Sequence, residues 1–121
     1  MAKNLEIALL FDFYGDMLTD KQRDMVELYY NDDLSLSEIA ENAGITRQGV
    51  RDSIKRAESQ LLEMEDRLGL ARRFREMQAG FTAIRTAAQE IRQCNDRCGY
   101  SREIDEQANR ILELAEQLSQ D

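Results

Sequence analysis

The chain has no histidine, no proline and only two cysteines and six glycines in 121 residues. Without histidine it lacks the side chain most used for proton transfer near neutral pH, which removes many enzyme classes. Runs of the form GxxxxGK, GxGxxG and GxSxG are also missing, so phosphate cradles, dinucleotide sites and nucleophile elbows have no candidates. Cys94 and Cys98 are the only thiols. To hold a metal they would need two further ligands, carboxylates such as Asp96, and soft sites are seldom built that way. They read as reduced, structurally minor cysteines. Asp32 and Asp33 fit no calcium loop and read as a solvated turn. No catalytic residue, metal ligand or cofactor is therefore assigned, and the chain is read as non-catalytic. Long apolar runs are absent, and MAKNLEIALLF lacks the basic-then-apolar layout and small-residue cleavage site of a signal peptide. These absences predict a cytoplasmic protein with no membrane partner.

With strand signals missing and Ala, Leu, Glu, Gln and Arg recurring throughout, the composition predicts an all-α fold. Asn4 can cap a helix over 5–14, apolar around much of its circumference through Leu5, Ala8, Leu9, Phe11, Phe13 and Tyr14, and Gly15 stops it. Thr19 with Gln22 forms a capping box that opens a second helix to about Tyr30. Phe11, Phe13, Tyr14, Tyr29 and Tyr30 are read as core packing, since their helices also carry the leucines. Asn31, Asp32 and Asp33 make the turn that follows.

The organising stretch comes next. Ser35 with Glu38 is a second capping box, opening a helix that buries Leu36, Ile39, Ala40 and Ala43. Gly44 ends it in the left-handed conformation that a tight turn needs, Ile45 tucks under the turn, and Thr46 caps a new helix whose Val50, Ile54 and Ala57 share a buried face. This is the pattern of a helix-turn-helix. Its second helix turns Arg47, Gln48, Arg51, Lys55 and Arg56 outward. Arginine and glutamine can pair with the edges of guanine and adenine, so Thr46, Arg47, Gln48, Arg51, Lys55 and Arg56 are the expected contacts to DNA or RNA. Gly49 weakens this helix yet permits close approach to a backbone.

A net charge of −8 argues against general nucleic-acid binding, because phosphate neutralisation supplies most non-specific affinity. Residues 1–45 carry three Lys and Arg against ten Asp and Glu, residues 46–60 four against two, and residues 61–121 nine against twelve. On this division only the recognition helix is locally basic.

Val50, Ile54, Ala57, Leu61, Met64 and Leu68 continue a heptad stripe to Gly69. A new phase starts at Leu70 and runs through Phe74, Met77, Phe81, Ile84, Ala88 and Ile91. CNDRCGY at 94–100 reads as a turn, and Ile104, Ala108, Ile111, Ala115 and Leu118 form a last stripe. The expected organisation is a helix-turn-helix domain over 1–68 followed by a C-terminal antiparallel helical hairpin over 69–121. A two-helix hairpin leaves apolar surface to be covered by the first domain or by a second subunit, and a homodimer is expected.

The run LTDKQRDMVELYYNDDLSLSEIAENAGITRQGVRDSIKRAESQL, residues 18–61, resembles the fourth conserved region of bacterial sigma factors, a promoter-reading helix-turn-helix. Blocks such as Phe11-Asp12-Phe13-Tyr14-Gly15, Leu18-Thr19-Asp20-Lys21-Gln22, Glu27-Leu28-Tyr29-Tyr30 and Arg47-Gln48-Gly49-Val50 resemble the YlxM family over roughly residues 5–75. That resemblance implies a sigma-region-like helical domain. It also implies genetic neighbourhood with the signal recognition particle GTPase, and a regulatory role in that targeting pathway. A competing expectation is a protein-interaction module whose acidic first part docks on the targeting GTPase without binding nucleic acid.

Overall fold

The computed structural model describes residues 2–119, which form six α-helices and no strand among them. In order these are α1 (Leu5–Tyr14), α2 (Asp20–Tyr30), α3 (Leu36–Ala43), α4 (Arg47–Leu68), α5 (Leu70–Arg97) and α6 (Arg102–Ser119). The chain divides into two compact units after Ala71.

The caps of the first unit follow from side-chain chemistry. Asn4 accepts from the Glu6 N–H at 2.9 Å, and the Thr19/Gln22 and Ser35/Glu38 boxes are both closed in each direction. Two pools of buried side chains meet along α4. One joins Ile7, Leu10 and Tyr14 of α1 to Ala57 and Leu61; the other joins Met25 and Tyr29 of α2 and Leu36, Ile39 and Ala40 of α3 to Val50 and Ile54. Because Val50, Ile54, Ala57 and Leu61 recur at spacings of four and three, one helix can serve as the spine against which α1, α2 and α3 all pack.

Three expectations need correcting here. In α1 the buried positions are Ile7, Leu10 and Tyr14, whereas Leu5 lies at the open first turn and is 87% exposed. Ala43, the last residue of α3 before Gly44, is exposed. The α4 stripe stops contributing after Met64, and Leu68 is open to solvent.

Gly69 (φ 64°) breaks α4 from α5, and the first donors of α5 are caught from outside the helix. The Leu70 N–H donates to the Tyr14 hydroxyl at 3.0 Å and the Ala71 N–H to Glu65 Oε1 at 3.0 Å, while the Tyr14 hydroxyl donates to that same Oε1 at 2.7 Å. Burial, and then the hydrogen bond to Glu65, push the Tyr14 hydroxyl above the usual tyrosine range, so it stays a donor.

Glu58, half-buried on α4, is the uncomfortable group of this unit. Burial holds its carboxyl above its ordinary value of 4.5 against the opposing pull of Lys55 and a hydrogen bond from Tyr30, and its Oε1 has no hydrogen-bond partner among the described residues. A carboxyl that is harder to ionise folded than unfolded contributes stability when protonated and loses it as pH rises from 4.5 through the folded value. Glu58→Gln should therefore raise the thermal midpoint at pH 7, with the gain shrinking to nothing below pH 4.5. A gain independent of pH would refute the assignment.

In the second unit α5 and α6 run antiparallel. Arg85 meets Glu116 at 3.4 Å, Arg92 meets Asp105 at 3.5 Å, and Asn95 exchanges two 2.9 Å hydrogen bonds with the Ser101 backbone at the bend. The segment expected as a turn, 94–100, is corrected: α5 continues through Cys94, Asn95, Asp96 and Arg97, and the chain turns only between Cys98 and Ser101, with Gly99 at φ 86°. Cys94 and Cys98 are exposed, free thiols with sulfurs 3.9 Å apart. No group of three or more Cys, Asp or Glu among the described residues could hold a metal ion, and no helix is long and apolar enough to cross a membrane.

Candidate nucleic-acid interface

The α3–turn–α4 segment is built from its caps inward. Ser35 accepts from the Glu38 N–H and Glu38 from the Ser35 N–H, fixing the start of α3. Gly44 takes φ 70° and ψ 29°, and both the Gly44 and the Ile45 N–H close on the Ala40 carbonyl, at 2.9 and 3.2 Å. This is the left-handed helix end that a residue without a Cβ enters at least cost. Ile45 is half-buried against the second core pool, as its place under the turn requires. The Thr46 hydroxyl then accepts from the Gly49 N–H at 3.0 Å and starts α4.

Gly49 has a structural reason that the sequence alone did not give. A Cβ there would sit 3.2 Å from the Thr46 hydroxyl, tighter than an ordinary contact, so the missing side chain leaves room for the cap.

Anchored through Val50 and Ile54, both fully buried, α4 turns Thr46, Arg47, Gln48, Arg51, Lys55 and Arg56 to solvent. Among the described residues no carboxylate lies within salt-bridge distance of Arg47, Arg51, Lys55 or Arg56. The ion pairs of the first unit are elsewhere: Lys3 with Asp33, Arg23 with Asp16 and Asp20, and Arg67 with Glu63. The helix also has no acid in its first turn, so its positive dipole end and Arg47 point the same sign outward. Two members of the set are partly committed: the Thr46 hydroxyl accepts from the Gly49 N–H as the cap of α4, and Gln48 donates from Nε2 to Asp52 Oδ1 at 2.9 Å. To read a base Gln48 must release that bond.

Two features escaped the sequence reading. A polar depression of about 330 Å³ is lined by Thr19, Lys21, Gln22, Gly49, Asp52, Ser53 and Arg56, which brings Lys21 and the N-terminus of α2 to the flank of the recognition helix. No local pattern links residue 21 to residue 56; only the packing of α2 on α4 does. Nor is the recognition helix the one locally basic stretch, as expected above: residues 67–75 hold four arginines and no acid. They lie within a C-terminal segment, 61–121, that is acidic as a whole.

Comparison with known proteins gives a consistent result. A family model described as "UPF0122: Putative helix-turn-helix protein, YlxM / p13 like" matches residues 1–98. The chain is similar to the UPF0122 protein Teth514_1714 of Thermoanaerobacter sp. (strain X514), 44% identical over 110 residues that span 91% of this chain and 94% of the relative. It is also similar to a UPF0122 protein of Acetivibrio thermocellus, 53% identical over 74 residues (61% and 63% of the two chains). A third, from Bacillus thuringiensis (strain Al Hakam), is 44% identical over 96 residues (79% and 87%).

Proposed function

The chain belongs to the UPF0122 family of YlxM/p13-like helix-turn-helix proteins, and on that premise we propose that it is a non-catalytic regulator that binds DNA or RNA through α4, acting in the signal recognition particle pathway. One observation carries the reading: a capped helix seated through Val50 and Ile54 presents four exposed cations, none of them in a salt bridge among the described residues, on a protein whose net charge is −8. Exposed charge left unpaired on so acidic a background is available to phosphate. Arg47, Gln48 and Arg51, in the first turns, are the base-edge readers; Thr46, Lys55 and Arg56 hold the backbone. Lys21, beside Arg56 across the polar depression, extends the phosphate track towards the N-terminus of α2. The pathway assignment rests on the resemblance to the YlxM family.

The test is Arg51→Ala, titrated against the DNA of the protein's own operon and against the particle RNA. A bidentate base contact is worth about 1–3 kcal/mol, so affinity for the cognate species should fall roughly 5- to 150-fold with the helical spectrum unchanged. Equal binding of both forms, or none by either, would reject nucleic-acid reading. The surviving account would then be docking of the acidic first helices on the targeting GTPase, an attraction that added salt weakens.

A further inference from the structure

The second unit is built with its small residues inside and its large ones out. Along the seam between α5 and α6 the buried apolar positions are Ala88, Ala108 and Ala115. Met77, Ile84 and Ile91 of α5 and Ile104, Ile111 and Leu118 of α6 are 38–62% exposed. These two sets are each spaced by seven, and they flank one side of the seam. The other side is closed by Arg85 with Glu116, by Arg92 with Asp105, and by Gln78 and Arg85 reaching Ser119. The hairpin thus has one finished face and one open apolar face.

We propose that the open face is the docking surface for a second copy of this chain, which lays its own hairpin across it and closes a four-helix bundle.

The register argues for a helical occupant. A strict heptad repeat of apolar residues is what keeps a helix facing another helix, and here it runs on two antiparallel helices at once, as on half of a bundle. Shallow apolar hollows of about 260, 270 and 210 Å³ run along the face, between Ile91 and Ile104, between Ile104 and Ile111, and beside Ile84, Ile111 and Leu118. They are holes of the kind that knobs from an opposing helix fill.

Charge argues that the occupant is this chain. Setting aside Arg85 with Glu116 and Arg92 with Asp105, which pair across the hairpin itself, the rest of α5 holds four arginines and three acids and the rest of α6 three acids and two arginines, so α5 is the more basic helix and α6 the more acidic. A two-fold axis that sets each α5 beside the partner's α6 brings unlike charge together twice over, and such self-complementarity is what an isologous pair needs. Size fits as well. The 18-residue α6 makes the face roughly 27 Å long and two helices make it roughly 20 Å wide, the order of the about 800 Å² per partner in a stable interface. The first unit offers no matching surface: its exposed large apolar residues Leu5, Met17, Leu62, Leu68 and Leu70 share no heptad and are scattered over α1, the turn after it, α4 and the first turn of α5.

Light scattering on the full chain tests this. The wild type should show about twice the 14.0 kDa of one chain, and its melting temperature should rise with concentration. Ile91→Glu with Ile111→Glu should return it to a single-chain mass with its helical spectrum intact. Should that pair disturb folding, Ile84→Asn with Leu118→Asn is the milder version, with the same expected loss of the dimer. A wild type of single-chain mass whose melting is independent of concentration overturns the proposal, as does a folded variant that stays at double mass. The inference does not rest on nucleic-acid reading. Arg51→Ala should leave the double mass unchanged, so the two ideas fail separately.

Discussion

Ile54→Ala should cost the first unit about 2–5 kcal/mol, the range for emptying a fully buried isoleucine in a core that cannot collapse around the gap. Ile54 is 0% exposed and packs with Met25 and Tyr29 of α2, Ile39 of α3 and Val50 of its own helix, so a hole there faces three elements at once. The total stability of a small domain is about 5–15 kcal/mol, and a loss of this size removes a large part of it. The measurement is urea unfolding followed by helical circular dichroism, which suits a chain with no tryptophan. The midpoint should fall with the slope unchanged. A cost below about 1 kcal/mol would mean that the α3–α4 seam is much looser than a close-packed core allows. Nucleic-acid binding should weaken in proportion to the unfolded fraction, unlike Arg51→Ala, which should act on binding alone.

Tyr14 is the second sensitive point, and a pair of substitutions separates its two jobs. Tyr14→Ala removes the ring from the core with Ile7, Leu10 and Leu61, for about 3–5 kcal/mol by analogy with other buried aromatics. Tyr14→Phe keeps the ring and takes away only the hydroxyl. The Leu70 N–H then loses its acceptor and Glu65 loses one of its donors, for about 1–3 kcal/mol. The consequence should be local as well as global. Leu70 and Ala71 are the first donors of α5, and without the hydroxyl the start of that helix should fray, read as faster amide exchange at Leu70 and its neighbours. If Tyr14→Phe matches the wild type in both stability and exchange, the hydroxyl does not cap α5.

Much of the candidate interface was legible because it is local. Ser35 with Glu38, Gly44, Thr46 and the Val50–Ile54–Ala57 spacing act within one or two turns, and each does what its chemistry requires. Arg47, Arg51, Lys55 and Arg56 are exposed by the same arithmetic that buries Val50 and Ile54. Lys21 beside Arg56 was not legible, since 35 residues separate them. Nor was the Gln48 to Asp52 hydrogen bond, where one of several available rotamers was taken.

The hairpin shows where pattern reading stops. Its stripes give helices and their antiparallel return, but a stripe includes more residues than one seam can cover. Which members go inside depends on how closely the two helices approach. Here Ala88, Ala108 and Ala115 fill the seam, and Ile84, Ile91, Ile104 and Ile111 are left exposed.

Periodicity and caps by themselves therefore determined the all-α character, the bounds of the first helices, the sharp turn at Gly44 and the outward side of α4. These depend on φ, on hydrogen bonds a few residues long and on a repeat of 3.6, all of which are written in neighbouring residues. Tertiary structure alone decided that α4 serves as the common spine, that Tyr14 and Glu65 hold the first donors of α5 across more than fifty residues of chain, and which face of the hairpin stays open. Those outcomes turn on the distance between elements far apart in sequence, which no local pattern encodes.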